Sequence, residues 1–348
     1  MNILPKCSDV NILSRSKLPT PGEIRSELPL SLDTTMQVIR HRQEVFDILD
    51  GKDPRKLIVV GPCSIHDRNS ALEYADKLAR LSKEVSDKLL LIMRVYFEKP
   101  RTTVGWKGLI YDPDMDDEYN IEKGIRLSRK LMLEIVEKGL PVATETLDPI
   151  LVQYLVDAVS WTAIGARTTE SQPHRQLASG LSMAVGFKNA TDGNMQIAID
   201  AISTARRQHS FIGVDENGEV SVFRTSGNAY GHIVLRGGTG PNYEPEYIAF
   251  LKVAMRKARL RPQIIVDCSH ANSGKRFDRQ KKVFYNIIDQ ITAGENAIVG
   301  MMLESHLCEG KQDIVAGRKP MPNISVTDGC IGWQETEELI RYAHNKLK

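Results

Sequence analysis

LLLIM at residues 89–93 is an uninterrupted apolar run that ends at Arg94, and this kind of run decides the fold. A strand with one solvated face alternates polar and apolar residues, whereas a continuous run is typical of a parallel strand covered on both faces. Seven further short runs, most of them rich in Val, Ile and Leu, occur along the chain. They occupy residues 56–60, 141–145, 161–166, 184–189, 232–237, 263–268 and 297–305.

Amphipathic stretches separate these runs. In residues 70–85, for example, Leu72, Ala75 and Leu78 recur at helical spacing. The other stretches are 122–137, 172–181, 196–207, 245–257, 278–292 and 334–346, and only the connection at 149–159 is short. Eight strands that alternate with helices predict an α/β fold of the TIM (β/α)8 barrel type. The alternative, a doubly wound sheet, would normally have a Gly-rich first βα turn, and Gly61-Pro-Cys-Ser is not such a turn.

Two segments do not fit the alternation. Residues 1–55 form an N-terminal extension, with a helix predicted at 34–49 and its end at Gly51. Residues 211–224, FIGVDENGEVSVFR, predict a β-hairpin inserted into the barrel domain of residues 56–348. We expect the two additions to cover a subunit interface or to bind an effector; the alternative is that they only decorate the barrel.

Composition excludes several classes of protein. The 41% hydrophobic and 26% charged fractions are those of an ordinary globular chain, and no apolar run reaches the ~18 residues of a membrane span. Five scattered cysteines fit reduced thiols better than a disulfide framework, and no signal-peptide pattern opens the chain. We therefore expect a cytoplasmic protein with small-molecule partners, without nucleic acid or a membrane; the net charge of +2 alone would not decide this.

Cations follow several of the predicted strands. The chemistry of a barrel lies at the carboxyl ends of its strands, so these side chains should converge on one mouth. Five or six cations there suit a ligand with two or more anionic groups. For each residue alone, a salt bridge or a solvated basic loop is an alternative. The set comprises Arg94, Lys99, Arg167, Lys188 and Arg236, with Arg101 nearby.

A second set of strand-end residues offers metal ligands. It comprises Cys63, His270, Glu304 and Asp328. Soft, borderline and hard donors together are unlike a structural zinc site and fit an open catalytic site for Mn, Fe, Co, Zn or Cu. Cys63 as a small buried hydrophobe and His270 as a core histidine are the alternatives. Competing ligands near the same strand ends are His66, Cys268 and Cys330.

Long strings in the chain resemble one family. They are GPCSIHD (61–67), RVYFEKPRTTVGWKGL (94–109), AIGARTTESQ (163–172), VGFKN (185–189), HIVLRGG (232–238), VDCSHANSGK (266–275) and ESHLCEG (304–310). The chain thereby resembles the microbial type I, feedback-regulated 3-deoxy-D-arabino-heptulosonate 7-phosphate (DAHP) synthases. The resemblance implies a TIM barrel with an N-terminal extension and an inserted hairpin. It also implies the condensation of phosphoenolpyruvate with erythrose 4-phosphate, the first step of the shikimate pathway.

The resemblance also implies roles for particular residues. One divalent ion would be held by Cys63, His270, Glu304 and Asp328. Phosphoenolpyruvate would contact Arg94, Lys99, Gly165, Ala166, Arg167, Lys188 and Arg236, and erythrose 4-phosphate would contact the string from Lys99 through Arg101 to Thr102. Within this frame we expect Lys99 to deliver a proton to the aldehyde oxygen and Glu145 to orient a water molecule.

Family members of this type are inhibited by an aromatic amino acid. The matching positions are Ser182, Phe211, Gly213 and Phe223, and the chain looks most like the tyrosine-sensitive isoenzyme, with phenylalanine as the second choice. A homo-oligomer, dimer or tetramer, is expected from pairing through the extension. Two other functions stay open at this point: a related synthase that joins phosphoenolpyruvate to a longer sugar phosphate, and a non-catalytic barrel that senses sugar phosphates or aromatic amino acids.

Overall fold

A closed barrel of parallel strands forms the centre of the molecule. The computed structural model describes residues 7–101, 105–315 and 317–348. The strands are β1 Lys56–Gly61, β2 Leu89–Arg94, β3 Val142–Glu145, β4 Trp161–Ile164, β5 Ala184–Lys188, β6 Ser210–Val214, β7 Val220–Arg224, β8 Gly231–Leu235, β9 Ile264–Asp267 and β10 Ile298–Glu304. The barrel order is β1-β10-β9-β8-β5-β4-β3-β2, and β1 also pairs with β2. This closure confirms the predicted barrel and rules out the open, doubly wound sheet.

Helices follow the barrel strands as predicted. They are α1 Pro21–Glu27, α2 Leu32–Asp50, α3 Arg68–Glu84, α4 Ile121–Glu137, α5 Val152–Leu155, α6 Gln172–Ala178, α7 Gln196–Ala205, α8 Pro245–Lys257, α9 Gln280–Thr292 and α10 Trp333–Lys346. In the described part of the chain, no helix is both long enough and apolar enough to cross a membrane. The short third connection holds the single turn α5 and a 3-10 turn, Val156–Ala158.

Helix α1 was not predicted, although its start signal is present in the sequence. The Thr20 hydroxyl accepts a hydrogen bond from the Glu23 backbone, and the Glu23 carboxylate accepts one from the Thr20 backbone. Pro21 occupies the first turn, where its missing N–H has no cost. The helix was not predicted because seven residues are too few to show the helical spacing of apolar residues.

The extension closes the lower end of the barrel. Val45, Ile48 and Leu49 of α2 pack into the apolar cluster that fills the barrel interior. The side-chain amide of Gln263, next to β9, donates a hydrogen bond to the Leu49 carbonyl oxygen. Helix α2 is therefore part of the barrel's apolar packing, and the opposite rim, at the carboxyl ends of the strands, stays available for chemistry.

Strands β6 and β7 form the predicted hairpin. They pair antiparallel, with Phe211 opposite Phe223. The carbonyl oxygen of Glu216, in the hairpin turn, accepts a hydrogen bond of 2.7 Å from the Gly22 backbone. The hairpin thus contacts the first helix of the extension, so the two additions to the barrel meet each other.

Candidate active site

Arg94, the last residue of β2, is a buried cation with an unused donor. Its side chain is 1% exposed, its guanidinium stacks on the Tyr96 ring at 4.1 Å, and its Nη2 donates to Glu304 Oε1 at 3.2 Å. Burial opposes its charge, but the neighbouring Tyr96 and Glu304 keep the pKa of Arg94 above its ordinary value. Its Nη1 is buried without a hydrogen-bond partner in the described part of the chain. An unsatisfied buried donor of this kind suits an anionic ligand.

Lys99 contacts Cys63. The Lys99 ammonium donates to Cys63 Sγ at 3.0 Å and to the Cys63 carbonyl oxygen at 3.3 Å. Burial raises the pKa of the Cys63 thiol to about 11. Burial opposes the charge on Lys99, yet Cys63, Glu304 and Asp328 raise the pKa of Lys99 above its ordinary value. The pair therefore consists of a protonated ammonium and, without a metal ion, a protonated thiol at neutral pH.

Three of the four predicted metal ligands converge. One ligand atom each from Cys63, Glu304 and Asp328 lies within 4.8 Å of the others, and Cys63 Sγ is 3.5 Å from Asp328 Oδ2. Burial opposes ionisation of Asp328, but the charges of Lys99 and His270 hold its pKa below its ordinary value. A thiol and two carboxylates this close together can hold a divalent ion.

The fourth predicted ligand, His270, stands beside this group and contacts other residues. Its Nδ1 is 3.0 Å from Asp267 Oδ2 and 2.8 Å from the Ser269 hydroxyl. Its φ of 55° is unusual for a residue other than glycine. Because the contacts engage Nδ1, Nε2 is the ring nitrogen left for a ligand.

Asp267 is a site residue that sequence reasoning missed. It is 0% exposed and accepts hydrogen bonds from Lys188 Nζ at 3.0 Å and from the Ser269 backbone at 3.0 Å. Burial opposes its ionisation, but His270 and Lys188 hold the pKa of Asp267 well below its ordinary value. Asp267 therefore orients both Lys188 and His270. Its place at the end of the apolar run 263–268 is the signal that could have found it.

Glu145, the last residue of β3, lies directly over Gly165. The Glu145 side chain is 9% exposed, and a Cβ built on Gly165 would lie 2.3 Å from Glu145 Oε1. The Gly165 carbonyl oxygen accepts hydrogen bonds from the Thr168 and Thr169 backbones at 3.0 and 2.9 Å. A side chain at position 165 would therefore displace the carboxylate, since the loop backbone is held in place.

The other predicted cations differ in exposure. Lys188 and Arg236 are buried at the ends of β5 and β8, whereas Arg167 is exposed and follows the half-buried Ala166. Burial lowers the pKa of Arg236; Asp267 opposes this effect and Arg167 adds to it. Two like charges that act on each other at the rim favour an anion between them.

An amide network that was not predicted holds the loop after β8. Asn189 Oδ1 accepts a hydrogen bond from the Arg236 backbone at 2.8 Å, and Asn242 Oδ1 accepts one from the Gly237 backbone at 2.8 Å. The network fixes where Arg236 leaves the strand. Asparagines give no distinctive sequence signal for such a role, because they are common in turns.

The string after Lys99 is described only in part. The Arg101 Nε donates to the Trp106 carbonyl oxygen at 2.9 Å, and the Lys99 backbone donates to the Lys107 carbonyl oxygen at 2.9 Å. Thr102, the remaining predicted contact of erythrose 4-phosphate, lies outside the described residues. The described contacts fold this loop back over Lys99.

The predicted effector residues cluster on the hairpin. The rings of Phe211 and Phe223 stack at 5.5 Å, and a Cβ on Gly213 would lie 3.0 Å from the Phe223 ring. Ser182 is exposed in the connection before β5. Three of the four positions thus share one face of the hairpin.

Comparison with known proteins gives consistent results. The model of the DAHP synthetase I family matches residues 28–341. The chain is 51% identical to the Tyr-sensitive phospho-2-dehydro-3-deoxyheptonate aldolase of Escherichia coli K12, over 98% of this chain and 96% of the relative. It is 49% identical to the Phe-sensitive enzyme of the same strain, over 98% of this chain and 97% of the relative. A solved phospho-2-dehydro-3-deoxyheptonate aldolase from Francisella tularensis SCHU S4 superposes with a TM-score of 0.94 at 44% identity, covering 97% of this chain and 98% of that one.

Proposed function

The chain belongs to the DAHP synthetase I family, and from that premise we propose that it condenses phosphoenolpyruvate with erythrose 4-phosphate. The products are DAHP and inorganic phosphate, and an aromatic amino acid inhibits the reaction. The observation that carries the proposal is the meeting of a thiol–carboxylate cluster with buried cations at the barrel mouth. The cluster suits a Lewis-acidic ion, and the cations suit two phosphorylated substrates.

The residues fit a resident divalent ion. Cys63, Glu304 and Asp328 would hold it, and His270 would complete the set through Nε2. The mixture of soft and hard donors accepts Mn, Fe, Co, Zn or Cu. When bound, such an ion polarises the carbonyl of an aldehyde and stabilises negative charge on its oxygen.

Phosphoenolpyruvate would lie among the buried cations. Among the described residues, Arg94 Nη1 has no hydrogen-bond partner, while Lys188 and Arg236 supply further positive charge from the ends of β5 and β8. Arg167 and the backbone of Gly165 and Ala166 would contact the same substrate from the loop after β4. Cations held in a buried site stabilise a bound anion more than cations in water do.

The reaction forms one carbon–carbon bond and, at C2, replaces the carbon–oxygen bond to phosphate by a carbon–oxygen bond to water. C3 of the enol phosphate attacks the aldehyde carbon, and Lys99 donates a proton to the aldehyde oxygen. Glu145 orients a water molecule that adds to C2. The C2–O bond to phosphate then breaks, and inorganic phosphate leaves with the bonding electrons and one proton of the water molecule. The other proton of the water molecule returns to Lys99 as C2 becomes a ketone.

Regulation and assembly complete the proposal. An aromatic amino acid, tyrosine before phenylalanine, would bind at Ser182, Phe211, Gly213 and Phe223. Residues 1–55 would serve the interface of a dimer or tetramer and this effector site, while residues 56–348 carry the chemistry. The contact between Gly22 and the hairpin turn supports this arrangement, since it joins the extension to the effector positions. Inhibition assays with each amino acid and light scattering test these two statements.

Phosphate release tests the reaction itself. Phosphoenolpyruvate should yield phosphate only when erythrose 4-phosphate and a divalent ion are both present, and a chelator should stop the release. Lys99→Ala should lower turnover by at least ~100-fold, whereas Lys107→Ala, which removes an exposed lysine from the same loop, should not. The proposal would be contradicted by phosphate release in the absence of erythrose 4-phosphate, or by release that continues when a chelator is present. A Lys99→Ala protein with near-normal turnover would contradict it as well.

A further inference from the structure

A cavity lies against the loops that carry Arg236 and His270, and it is called the outer cavity here because its lining contains none of the residues proposed for the metal ion or the substrates. Its volume is ≈ 420 Å³, and its walls come from the loop after β8, the loop after β9 and the first turn of α9. The residues that matter for the argument are Thr239, Tyr243, Ser273, Lys275, Arg279 and Lys282. Nothing in the proposed reaction uses any of them.

The cavity is positively charged. Lys275, Arg279 and Lys282 line it, none of them forms an ion pair within the described part of the chain, and no described lining residue carries a carboxylate. Their sequence neighbours behave differently, because Arg276 pairs with Asp278 at 2.7 Å and Lys281 pairs with Glu335 at 3.1 Å. Three unpaired cations around one cavity repel each other, and an anion between them would relieve that repulsion.

The loop around Gly274 and the start of helix α9 add to the positive charge of the cavity. Arg279 reaches back over the loop, since a Cβ on Gly274 would lie 3.8 Å from its Nη1. Helix α9 begins here with neither a side-chain cap nor an acidic residue in its first turn. The 3-10 turn Phe277–Arg279 precedes α9, and the Gln280 backbone donates to the Phe277 carbonyl oxygen, so the helix contributes its dipole to the positive potential of the three side chains.

The lining of the cavity also has an apolar part, which could contact an organic group. It contains Tyr243, which is buried, together with Pro241 and Val283. Thr239 and Ser273 also line the cavity. A volume of ≈ 420 Å³ exceeds the space that a phosphate group alone fills, so a ligand with one dianionic end and a compact body matches the cavity best.

The outer cavity shares its loops with the active site. The Lys275 backbone donates to the His270 carbonyl oxygen at 2.6 Å, and the Ala271 backbone donates to the Arg236 carbonyl oxygen at 3.2 Å. We propose that this outer cavity is a binding site for a small phosphomonoester, separate from the substrate cavity, with Lys275, Arg279 and Lys282 on the phosphate group. The bound ligand contacts the backbone that carries His270 and Arg236.

Calorimetric titration of glycerol 3-phosphate into the full-length protein tests this site. The test variant is Arg279→Gln with Lys282→Gln. The matched control is Arg276→Gln with Lys281→Gln, which removes the same charge from the same segment but from residues outside the cavity. Glycerol 3-phosphate also reaches the substrate cavity, so the comparison between variants, and not the total heat, reports on the outer site.

We expect one class of binding sites to weaken at least ~10-fold in the test variant and to be unchanged in the control variant. Glycerol should give no heat, and inorganic phosphate should bind more weakly than glycerol 3-phosphate. Identical isotherms for wild type and the test variant, or equal weakening in both variants, would overturn the site. Equal affinity for inorganic phosphate would overturn the phosphomonoester as its ligand.

Two further measurements keep the result interpretable. The melting temperatures of both double variants should match that of the wild type, and Lys275→Gln alone replaces the test variant if the double variant does not fold. The titration measures binding and not turnover, so its outcome is independent of the proposed reaction.

Discussion

Replacing Gly165 by alanine should displace the Glu145 carboxylate and slow the reaction. The new Cβ would lie 2.3 Å from Glu145 Oε1, whereas ordinary contact begins at 3.4 Å, so the carboxylate must move by about 1 Å. The backbone cannot yield instead, because Thr168 and Thr169 both donate hydrogen bonds to the Gly165 carbonyl oxygen. The φ of Gly165 lies outside the left-handed region, so alanine itself is not strained there.

A shift of this size in a water-orienting group costs on the order of 100-fold in kcat, or about 2.7 kcal/mol of transition-state stabilisation. Metal content and melting temperature should stay close to wild type, because only the end of a flexible side chain moves. Gly240→Ala is the control. A Cβ at this position would have no contact within 4 Å among the described residues outside its own chain neighbours, and kcat should not change. Steady-state phosphate release, with both substrates varied, separates kcat from KM.

The double variant with Glu145→Gln gives the decisive comparison. If Gly165→Ala acts only through the carboxylate, the double variant should be no slower than the slower single variant. If instead the fold-reductions in kcat of the two single variants multiply in the double variant, the alanine perturbs something else, such as the backbone proposed to contact phosphoenolpyruvate. A Gly165→Ala protein with kcat within twofold of wild type would refute the role of Glu145.

Three other substitutions have defined outcomes. Cys63→Ala should lose its metal ion, measured by elemental analysis, because the thiol is one of three converging candidate ligands. Its kcat should fall at least ~1000-fold while its melting temperature stays unchanged. Wild-type metal affinity would refute the ligand assignment. Gly213→Val should raise the tyrosine concentration for half-inhibition at least ~10-fold without changing kcat, since a Cβ there already lies 3.0 Å from Phe223; unchanged inhibition would remove position 213 from the effector site. Burial lowers the pKa of His232 from 6.5 to about 4, so the folded state binds fewer protons than the unfolded state between pH 7 and pH 5. The free energy of unfolding should therefore fall by about 2 kcal/mol from pH 7 to pH 5. Urea denaturation should show a smaller fall for His232→Gln than for wild type, and equal falls would contradict this reasoning.

The hydrogen bonds of His232 explain why its neutral form is favoured. The Trp161 indole donates to His232 Nε2 at 3.0 Å, and Nδ1 lies 3.3 Å from the Tyr230 carbonyl oxygen. One ring nitrogen must therefore accept and the other donate, which only the neutral ring can do. Protonation of the ring would remove the acceptor in a buried site.

The barrel, the family and the reaction class were predictable from the sequence, and the findings confirm them. Continuous apolar runs such as 89–93 identify parallel strands because both faces of the sheet are covered. Parallel pairing then brings strand-end residues to one rim, so Arg94, Lys188 and Glu304 could be grouped without coordinates. The domain boundaries and the individual residue roles stay predictions.

The packing between elements was not predictable in the same way. The amphipathic pattern of α2 shows that one face is buried, but not that Val45, Ile48 and Leu49 close the barrel interior. A helix pattern gives the direction of its apolar face and no information about the surface that covers it. The same limit applies to Asp267, whose importance comes from Lys188 and His270 meeting it in space.

The contacts between ligands and cations explain how the site can be stable before substrate arrives. Arg94 pairs with Glu304, so a cation of the proposed phosphoenolpyruvate site is neutralised by a proposed ligand of the metal ion. Lys99 donates to the neutral Cys63 thiol, and the carboxylates of Glu304 and Asp328 stabilise its charge. A divalent ion held by the thiol and the carboxylates would neutralise those carboxylates. The charges of Arg94 and Lys99 would then be available for the substrates. By linkage, each anionic substrate then strengthens metal binding as much as the metal ion strengthens binding of the substrate. The same buried charges thus stabilise the empty site and make the binding of metal ion and substrate cooperative.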